Sequence, residues 1–207
     1  MQHIFYAEGF GIRMRPVRMD DAAFIVWLRH LDHAKGKLGD SAADVAGQET
    51  WLKTYFDREG DCYFIAETPG GIPVGTHGIY DKSETSAEWG RFIMRPEVPA
   101  ALPTSIISFD LAFGPLGLKE VRATSVASNC TLHSYIRKLG FHQTRVETAG
   151  RIIGGNPVDM LHFILMPEDW FKCRERILPL ARLADAQVLD WEQQQFRNRN
   201  LHSGGSQ

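Results

Sequence analysis

Cysteine is scarce in this sequence, and neither cysteine nor histidine forms a metal-binding pattern. The 207 residues include three cysteines, which lie far apart and form no Cys-x-x-Cys pair. An odd number of widely spaced cysteines fits reduced thiols in a cytoplasmic protein better than disulfides or a zinc site. The eight histidines show no His-Glu-x-x-His or comparable spacing, so we expect no bound metal ion.

Long apolar runs and an excess of one charge are missing as well. No segment offers the roughly 20 uncharged residues of a membrane helix, and the first residues lack a basic stretch followed by an apolar core. We therefore expect no membrane span and no signal peptide. The 23 basic and 25 acidic residues give a formal charge of −2, which argues against a nucleic-acid partner. What remains is a globular protein of ordinary composition.

Hydrophobic periodicity and turn residues predict a mixed α/β domain. The predicted order is a strand, two helices, three strands, a helix, a strand, a helix and two strands. Short β-rich runs joined by turn residues indicate antiparallel hairpins, and one interior connection is long enough for a parallel step. The predicted strands cover residues 11–17, 62–67, 73–80, 86–95, 121–127, 141–147 and 158–166.

The C-terminal part of the chain differs in composition from the rest. We assign residues 1–166 to the α/β domain and residues 167–200, rich in Leu, Ala, Arg and Gln, to a helical extension. The extension is amphipathic, which favours packing on the domain or a homodimer interface. Residues 201–207 are predicted to form a disordered tail.

Five segments in this order resemble the GNAT superfamily of acyl-CoA-dependent N-acyltransferases. Ile-Arg-Met-Arg-Pro-Val at 12–17, followed by Asp-Asp-Ala at 20–22, is similar to the first strand and helix cap of its ribosomal-protein branch. Ala-Glu-Trp-Gly-Arg-Phe-Ile at 87–93 resembles the fourth strand of members acting on amino sugars of bacterial surface polysaccharides. The other similar segments are 111–118, 126–129 and 138–141.

The resemblance implies a three-layer fold and a cosubstrate. The fold has a mixed, mostly antiparallel sheet of about six or seven strands between helices, with two parallel strands splayed apart. Exposed backbone N–H groups at the splay polarise the thioester carbonyl of acetyl-CoA. Here the resemblance places the splay near Phe92, Ile93 and Met94, against residues 121–126.

The loop that holds the coenzyme pyrophosphate departs from the family pattern. That pattern is Gln/Arg-x-x-Gly-x-Gly/Ala before a helix N-terminus, whereas residues 98–105 contain no glycine and two prolines. The remaining N–H groups can still contact phosphate, helped by two hydroxyls, or the loop is rigid and binds no phosphate. The candidate residues are Ala100, Ala101, Leu102, Thr104 and Ser105.

Three further positions follow from the family's chemistry. Asn129 matches an asparagine that contacts the pantetheine arm, and it is also a good helix N-cap; the two roles are compatible. The tyrosine that acts as general acid in the family corresponds to Ile136 here. Tyr135 precedes it and either reaches the departing sulfur or packs elsewhere.

A general base must lie across the splay from the thioester. Glu88 is the first candidate and His77 the second, although a structural histidine is the more common outcome for the latter. Strand alternation predicts Glu88, Gly90 and Phe92 on one face and Trp89, Arg91 and Ile93 on the other.

Aromatic and basic residues suit a sugar-nucleotide acceptor. Arg91, Trp89 and Tyr80 could supply a cation and stacking rings, or else a solvated charge and core packing. The aromatic residues of the second helix, Trp51, Tyr55 and Phe56, are predicted to be core.

The sequence therefore predicts an N-acetyltransferase for a small-molecule amine, with an amino-deoxy sugar nucleotide as the favoured acceptor. A protein N-terminus is an alternative acceptor. The missing glycines and the displaced tyrosine leave a third alternative, a GNAT-like binding module without activity.

Overall fold

A computed structural model describes residues 3–38 and 42–203, and within them the chain forms one sheet of eight strands with five α-helices. The strands are β1 (Ala7–Gly9), β2 (Ile12–Pro16), β3 (Cys62–Glu67), β4 (Pro73–Tyr80), β5 (Ser86–Met94), β6 (Glu120–Val126), β7 (His142–Ile153) and β8 (Asn156–Leu165). The helices are α1 (Ala22–Arg29), α2 (Val45–Phe56), α3 (Ala101–Phe113), α4 (Cys130–Lys138) and α5 (Pro167–Ser203).

The sheet has the strand order β1-β2-β3-β4-β5-β6-β8-β7. Every neighbouring pair is antiparallel except β5 and β6, which pair in parallel over residues 86–88 and 120–122. The prediction of a mostly antiparallel sheet with a single parallel pair is confirmed. The additional strand is β1, which has three residues and pairs with β2 through Ala7 and Met14.

Helices cover the two faces of the sheet unequally. On one face, Ile25 of α1 and Leu52 of α2 pack on Ile65 of β3. On the other face, Phe109 of α3 and Trp170 of α5 belong to a larger core. Beyond this core lies β7, most of whose residues are exposed. The face that carries α1 and α2 is therefore left open over β6, β8 and β7.

The C-terminal helix is part of the domain core. Trp170 is fully buried, and its indole Nε1 donates to Asp110 Oδ1 on α3 at 3.0 Å. Farther along α5, Ile177 and Val188 are buried in the same core. The helix also includes residues 201–203, which we had assigned to a disordered tail; residues 204–207 lie outside the described residues.

None of the helices in the described ranges combines the length and the apolar character that crossing a membrane requires.

Candidate active site

The parallel strands separate beyond their short pairing, and a cavity of about 580 Å³ opens between them. Its walls are formed by residues 90–92 of β5 and residues 123–126 of β6. The outer edges of the two strands pair with β4 and β8, so their inner edges turn unpaired backbone groups towards the cavity. Such groups are suited to hold a carbonyl oxygen.

The gap begins earlier than the sequence predicts. Of the three predicted residues, Phe92 lines the cavity. Ile93 is buried against Leu28 of α1, and Met94 is buried in the main core. The backbone of both residues pairs with β4, because the two strands have regained a regular register there.

A β-bulge causes this offset. Gly78 pairs with Gly90 and Thr76 with Ile93, so that two residues of β5, Arg91 and Phe92, lie opposite His77 alone. The backbone of Arg91 has a φ of +53°, and its carbonyl accepts a hydrogen bond from Thr76 Oγ1 at 2.8 Å. An extra residue reverses the side-chain alternation that follows it.

The predicted faces of β5 are therefore wrong beyond Gly90. The ring of Phe92 packs against Trp89, with centroids 4.7 Å apart, on the face of α3 and α4. Arg91 instead faces α2, where it contacts the aromatic rings of Trp51 and Tyr63.

Arg91 is an anchored cation inside an aromatic shell. Its guanidinium makes a two-point ion pair with the buried Asp61, with Nη2 and Oδ2 2.8 Å apart. The guanidinium carbon lies 4.2 Å from the ring centroid of Tyr80 and 5.1 Å from that of Tyr63. Burial opposes the charge, but the hydrogen bonds and the charge of Asp61 raise the pKa of Arg91 overall. The solvated charge considered from the sequence is not observed.

The cavity connects the two faces of the sheet. Trp89 and Ile136 line it from the face of α3 and α4. Trp51 and Tyr63 line it from the face of α1 and α2. Two molecules can therefore meet in the gap after approaching from opposite sides. Trp51, which we expected to be core, is only half-buried and forms part of this wall.

The wall on the α2 side is positively charged. Arg29, Lys37, Arg91 and Arg151 line the cavity, and no Asp or Glu is found among the described residues that line it. The charge of Arg91 is balanced by Asp61, so the positive charge of the wall comes from the other three residues. Burial lowers the pKa of Arg29, and the neighbouring Arg91 lowers it further. A concave surface with cations and without carboxylates favours an anionic ligand.

Several solved structures have the same architecture. One, "Apo FdhC- a nucleotide-linked sugar GNAT", is 23% identical with a TM-score of 0.67, over 87% of this chain and 98% of that chain. A GCN5-related N-acetyltransferase from Brucella melitensis is 16% identical with a TM-score of 0.75, over 86% of each chain. A spermidine N-acetyltransferase from Vibrio cholerae is 15% identical with a TM-score of 0.68, over 79% of this chain and 98% of that chain.

The chain has the GNAT fold. No protein-family model and no curated protein matches it by sequence. The similarity to GNAT structures is therefore one of fold. The separated strands β5 and β6 correspond to the splayed pair at which the family resemblance predicts thioester binding.

Glu88, the first candidate base, lies beside the GNAT-fold cleft rather than on its wall. It lines a second cavity of about 410 Å³, which also includes Arg122, Thr124 and His162. Burial raises the pKa of Glu88, and the hydrogen bond with Thr124 acts in the opposite direction. Because Thr124 lines both cavities, it separates Glu88 from the cleft.

His77, the second candidate base, is a core residue. Its side chain is fully buried and stacks on Phe64, with ring centroids 4.7 Å apart. Nε2 lies 2.8 Å from Met14 Sδ, and Nδ1 lies 3.4 Å from Ser108 Oγ. Burial lowers the pKa of His77 to about 3. The imidazole is neutral and out of reach of a ligand in the cleft. The structure thus places His77 as a structural histidine of the core and not as a base.

Tyr135 lies behind the cavity wall. Its hydroxyl is 2.8 Å from Ser105 Oγ on α3, and its ring stacks on Phe92. Burial raises the pKa of Tyr135, which disfavours release of its proton. The cavity is lined instead by Ile136, which cannot donate a proton.

The N-terminus of α3 has few groups left for a phosphate. The N–H of Ala100 is bonded to Val98 O at 2.8 Å, and the N–H of Thr104 is bonded to Ala100 O at 3.0 Å. Thr104 and Ser105 are fully buried, so their hydroxyls do not reach a ligand at the surface. Since Pro103 has no N–H, the donors left at this helix start are Ala101 and Leu102.

Two features on the α3 and α4 side of the cleft are compatible with a bound coenzyme. Asn129 lines the cavity while its Oδ1 caps α4 by accepting from Leu132 N at 3.4 Å, so its role as an N-cap leaves it at the cavity wall. The buried Nε1 of Trp89, also a cavity residue, has no hydrogen-bond partner in the protein. A buried donor without a partner is costly unless a ligand satisfies it.

The described part of the chain contains no group of three or more His, Cys, Asp or Glu side chains arranged to hold a metal ion.

Proposed function

We propose that this protein transfers the acetyl group of acetyl-CoA to the primary amine of an anionic small molecule, and that the acceptor is an amino-deoxy sugar nucleotide. The observation that carries this proposal is the cationic wall of Arg29, Lys37 and Arg151 on the α2 side of the cleft, beside Arg91, whose charge Asp61 balances. A nucleoside diphosphate supplies the charge that complements such a wall.

The α3 and α4 side would hold acetyl-CoA, which supplies the acetyl group as an activated thioester. The unpaired backbone edge of residues 90–92 would bind the thioester carbonyl. Asn129 and the indole N–H of Trp89 are suited to the amide groups of the pantetheine arm. Ala101 and Leu102 would contact the pyrophosphate through their N–H groups.

The opposite side would hold the acceptor. Trp51 and Tyr80 line the cavity with aromatic rings that suit a nucleobase or sugar, and the partly exposed Lys37 and the exposed Arg151 line it with cations. A polyamine such as spermidine carries several positive charges, which this wall repels. One of the similar solved structures is named a nucleotide-linked sugar GNAT, in agreement with the acceptor class.

A panel of acceptors tests the proposal. Acetyl transfer from acetyl-CoA would be measured with amino-deoxy sugar nucleotides, with the same amino sugars lacking the nucleotide, and with spermidine. We expect turnover with the sugar nucleotides, at least tenfold weaker turnover with the free sugars, and none with spermidine. Turnover confined to spermidine or to peptide N-termini would refute the assignment.

A charge-reversal pair tests the cationic wall directly. We expect Arg151→Glu to raise the KM for the sugar nucleotide by roughly tenfold or more, because it replaces an attraction to phosphate by a repulsion. The KM for acetyl-CoA should not change. Arg182→Glu, the same substitution at an exposed position of α5 away from the cleft, is the matched control and should alter neither constant.

A further inference from the structure

A row of polar side chains crosses four adjacent strands on the open face of the sheet. Glu88 lies on β5, Thr124 on β6, His162 on β8 and Glu147 on β7. Thr124 and His162 are directly opposite each other in the register, and Thr124 Oγ1 lies 3.3 Å from His162 Nδ1. The other ring nitrogen, Nε2, lies 2.7 Å from Glu147 Oε2.

The row joins the cleft to solvent. Thr124 lines the cleft and also the second cavity, where Glu88 is one of its neighbours. His162 lines the second cavity and is itself largely buried, whereas Glu147 is 40% exposed. The charged groups around His162, from all strands that border it, are Asp81, Glu88, Glu120, Arg122, Arg145 and Glu147.

The single hydroxyl proton of Thr124 gives the row two hydrogen-bonding states. When His162 is neutral and donates from Nε2 to Glu147, its Nδ1 accepts the proton of Thr124. When His162 is an imidazolium, Nδ1 donates to Thr124, whose hydroxyl proton is then free to turn to Glu88. The two states differ by one proton, and the contacts of His162 with Thr124 and with Glu147 are kept in both.

We propose that His162, oriented by Glu147 and acting through Thr124, receives the proton that the acceptor amine loses during acetyl transfer. This inference rests on the proposed function. As the amine nitrogen bonds to the thioester carbon and the carbon–sulfur bond breaks, the sulfur leaves as a thiolate and the nitrogen gives up one proton. Thr124 Oγ takes that proton and passes its own to His162 Nδ1, from which it reaches solvent along Glu147.

Kinetics of matched variants test the relay. We expect His162→Gln and Thr124→Val to lower kcat by about 100-fold with little change in the KM for acetyl-CoA, the usual range for loss of a proton acceptor. Thr124→Ser keeps the hydroxyl and should retain most of the activity. In the impaired variants kcat should keep rising with pH, because hydroxide must take the proton, whereas the wild-type rate levels off.

The matched control is a second histidine–carboxylate pair. His142 Nε2 lies 3.1 Å from Asp169 Oδ2, at an exposed position outside both cavities. His142→Gln should leave kcat and its pH profile unchanged. If His162→Gln behaves like His142→Gln in an active enzyme, the relay is refuted and the proposed function stands.

A measurement without substrate separates the two proposals. Nitrogen-15 NMR of the histidine side chains should show neutral His162 protonated at Nε2, since Nδ1 accepts from Thr124. The Nδ1-protonated tautomer would overturn the relay whatever the activity. A wild-type protein that binds acetyl-CoA but acetylates none of the amines tested would overturn the proposed function instead.

Discussion

His77 is a neutral imidazole enclosed by Phe64, Met14 and Ser108, and this makes folding stability depend on pH. Its pKa is about 3 in the folded protein, against about 6.5 for an exposed histidine. Between these values the unfolded chain binds a proton that the folded protein does not bind. Stability from this residue is therefore complete above pH 6.5 and falls as the pH is lowered, by about 1.4 kcal/mol per pH unit.

We predict that His77→Gln reduces this dependence. On going from pH 7 to pH 5, the wild type should lose about 2 kcal/mol more of its free energy of unfolding than the variant. Urea denaturation at the two pH values measures the difference. His142→Gln, which changes an exposed histidine, should behave like the wild type. Equal losses in the wild type and His77→Gln would contradict the assignment of a buried neutral ring.

The Arg91–Asp61 pair gives a second prediction for single residues. The two side chains are 14% and 8% exposed. We expect Asp61→Asn to lower the free energy of unfolding by about 3 kcal/mol, because it leaves a cation buried without its counter-ion. Thermal or urea unfolding measures the loss. Asp32→Asn breaks an exposed ion pair with Lys35 and is the control, for which no comparable loss is expected.

Residue patterns predicted the location of the cleft but not the orientation of every side chain. The segment 87–93 correctly indicated the strand that borders the gap. Its alternation was wrong beyond Gly90, because the extra residue at Arg91 depends on pairing with β4 and leaves no local signal. The face on which Phe92 lies could therefore be learned only from the folded sheet.

At the level of whole elements, the start of α3 determines how many backbone N–H groups would be available to the coenzyme pyrophosphate under the proposed function. Its first turn presents the N–H groups of Ala101 and Leu102, fewer donors than the five positions considered from the sequence. We predict that Leu102→Glu weakens acetyl-CoA binding by roughly tenfold, because its carboxylate repels the pyrophosphate. The same charge interacts favourably with the helix N-terminus, which offsets part of the packing that Leu102 loses against the main core.

Calorimetry with acetyl-CoA measures this effect. Leu102→Gln changes the size and polarity of the side chain without adding charge, and it should bind more tightly than Leu102→Glu. Equal affinities of the two variants would place the pyrophosphate away from α3.

Helix ends, which depend on local capping residues, were predicted well. Strand lengths, which depend on pairing with distant residues, were predicted less well. Asn129 caps α4, and Gly140 ends it with a φ of +99°, as the residue types indicated. The hairpin of β7 and β8 is longer than predicted, extending to Ile153 and back from Asn156. Residues 148–150 interrupt the pairing with β8, and residues 151–153 resume it opposite residues 156–158, which no local pattern indicates.

For the molecule as a whole, the charge of the cleft is assembled from distant parts of the chain. Arg29 ends α1, Lys37 follows it, Arg91 lies in the bulge of β5, and Arg151 lies on β7. The formal charge of the protein is −2, so its composition does not indicate a cationic cleft. No short motif contains these residues, and only the sheet topology brings them to one wall.

The cavity that connects the two faces of the sheet also has a kinetic consequence. Under the proposed function, a donor entering beside α4 and an acceptor entering beside α2 would not compete for one entrance, so either could bind while the other is present. Both would then react within a ternary complex, and the acetyl group would never have to be stored on the protein. The spent coenzyme and the acetylated product would leave on opposite sides of the sheet, so a high concentration of one need not trap the other.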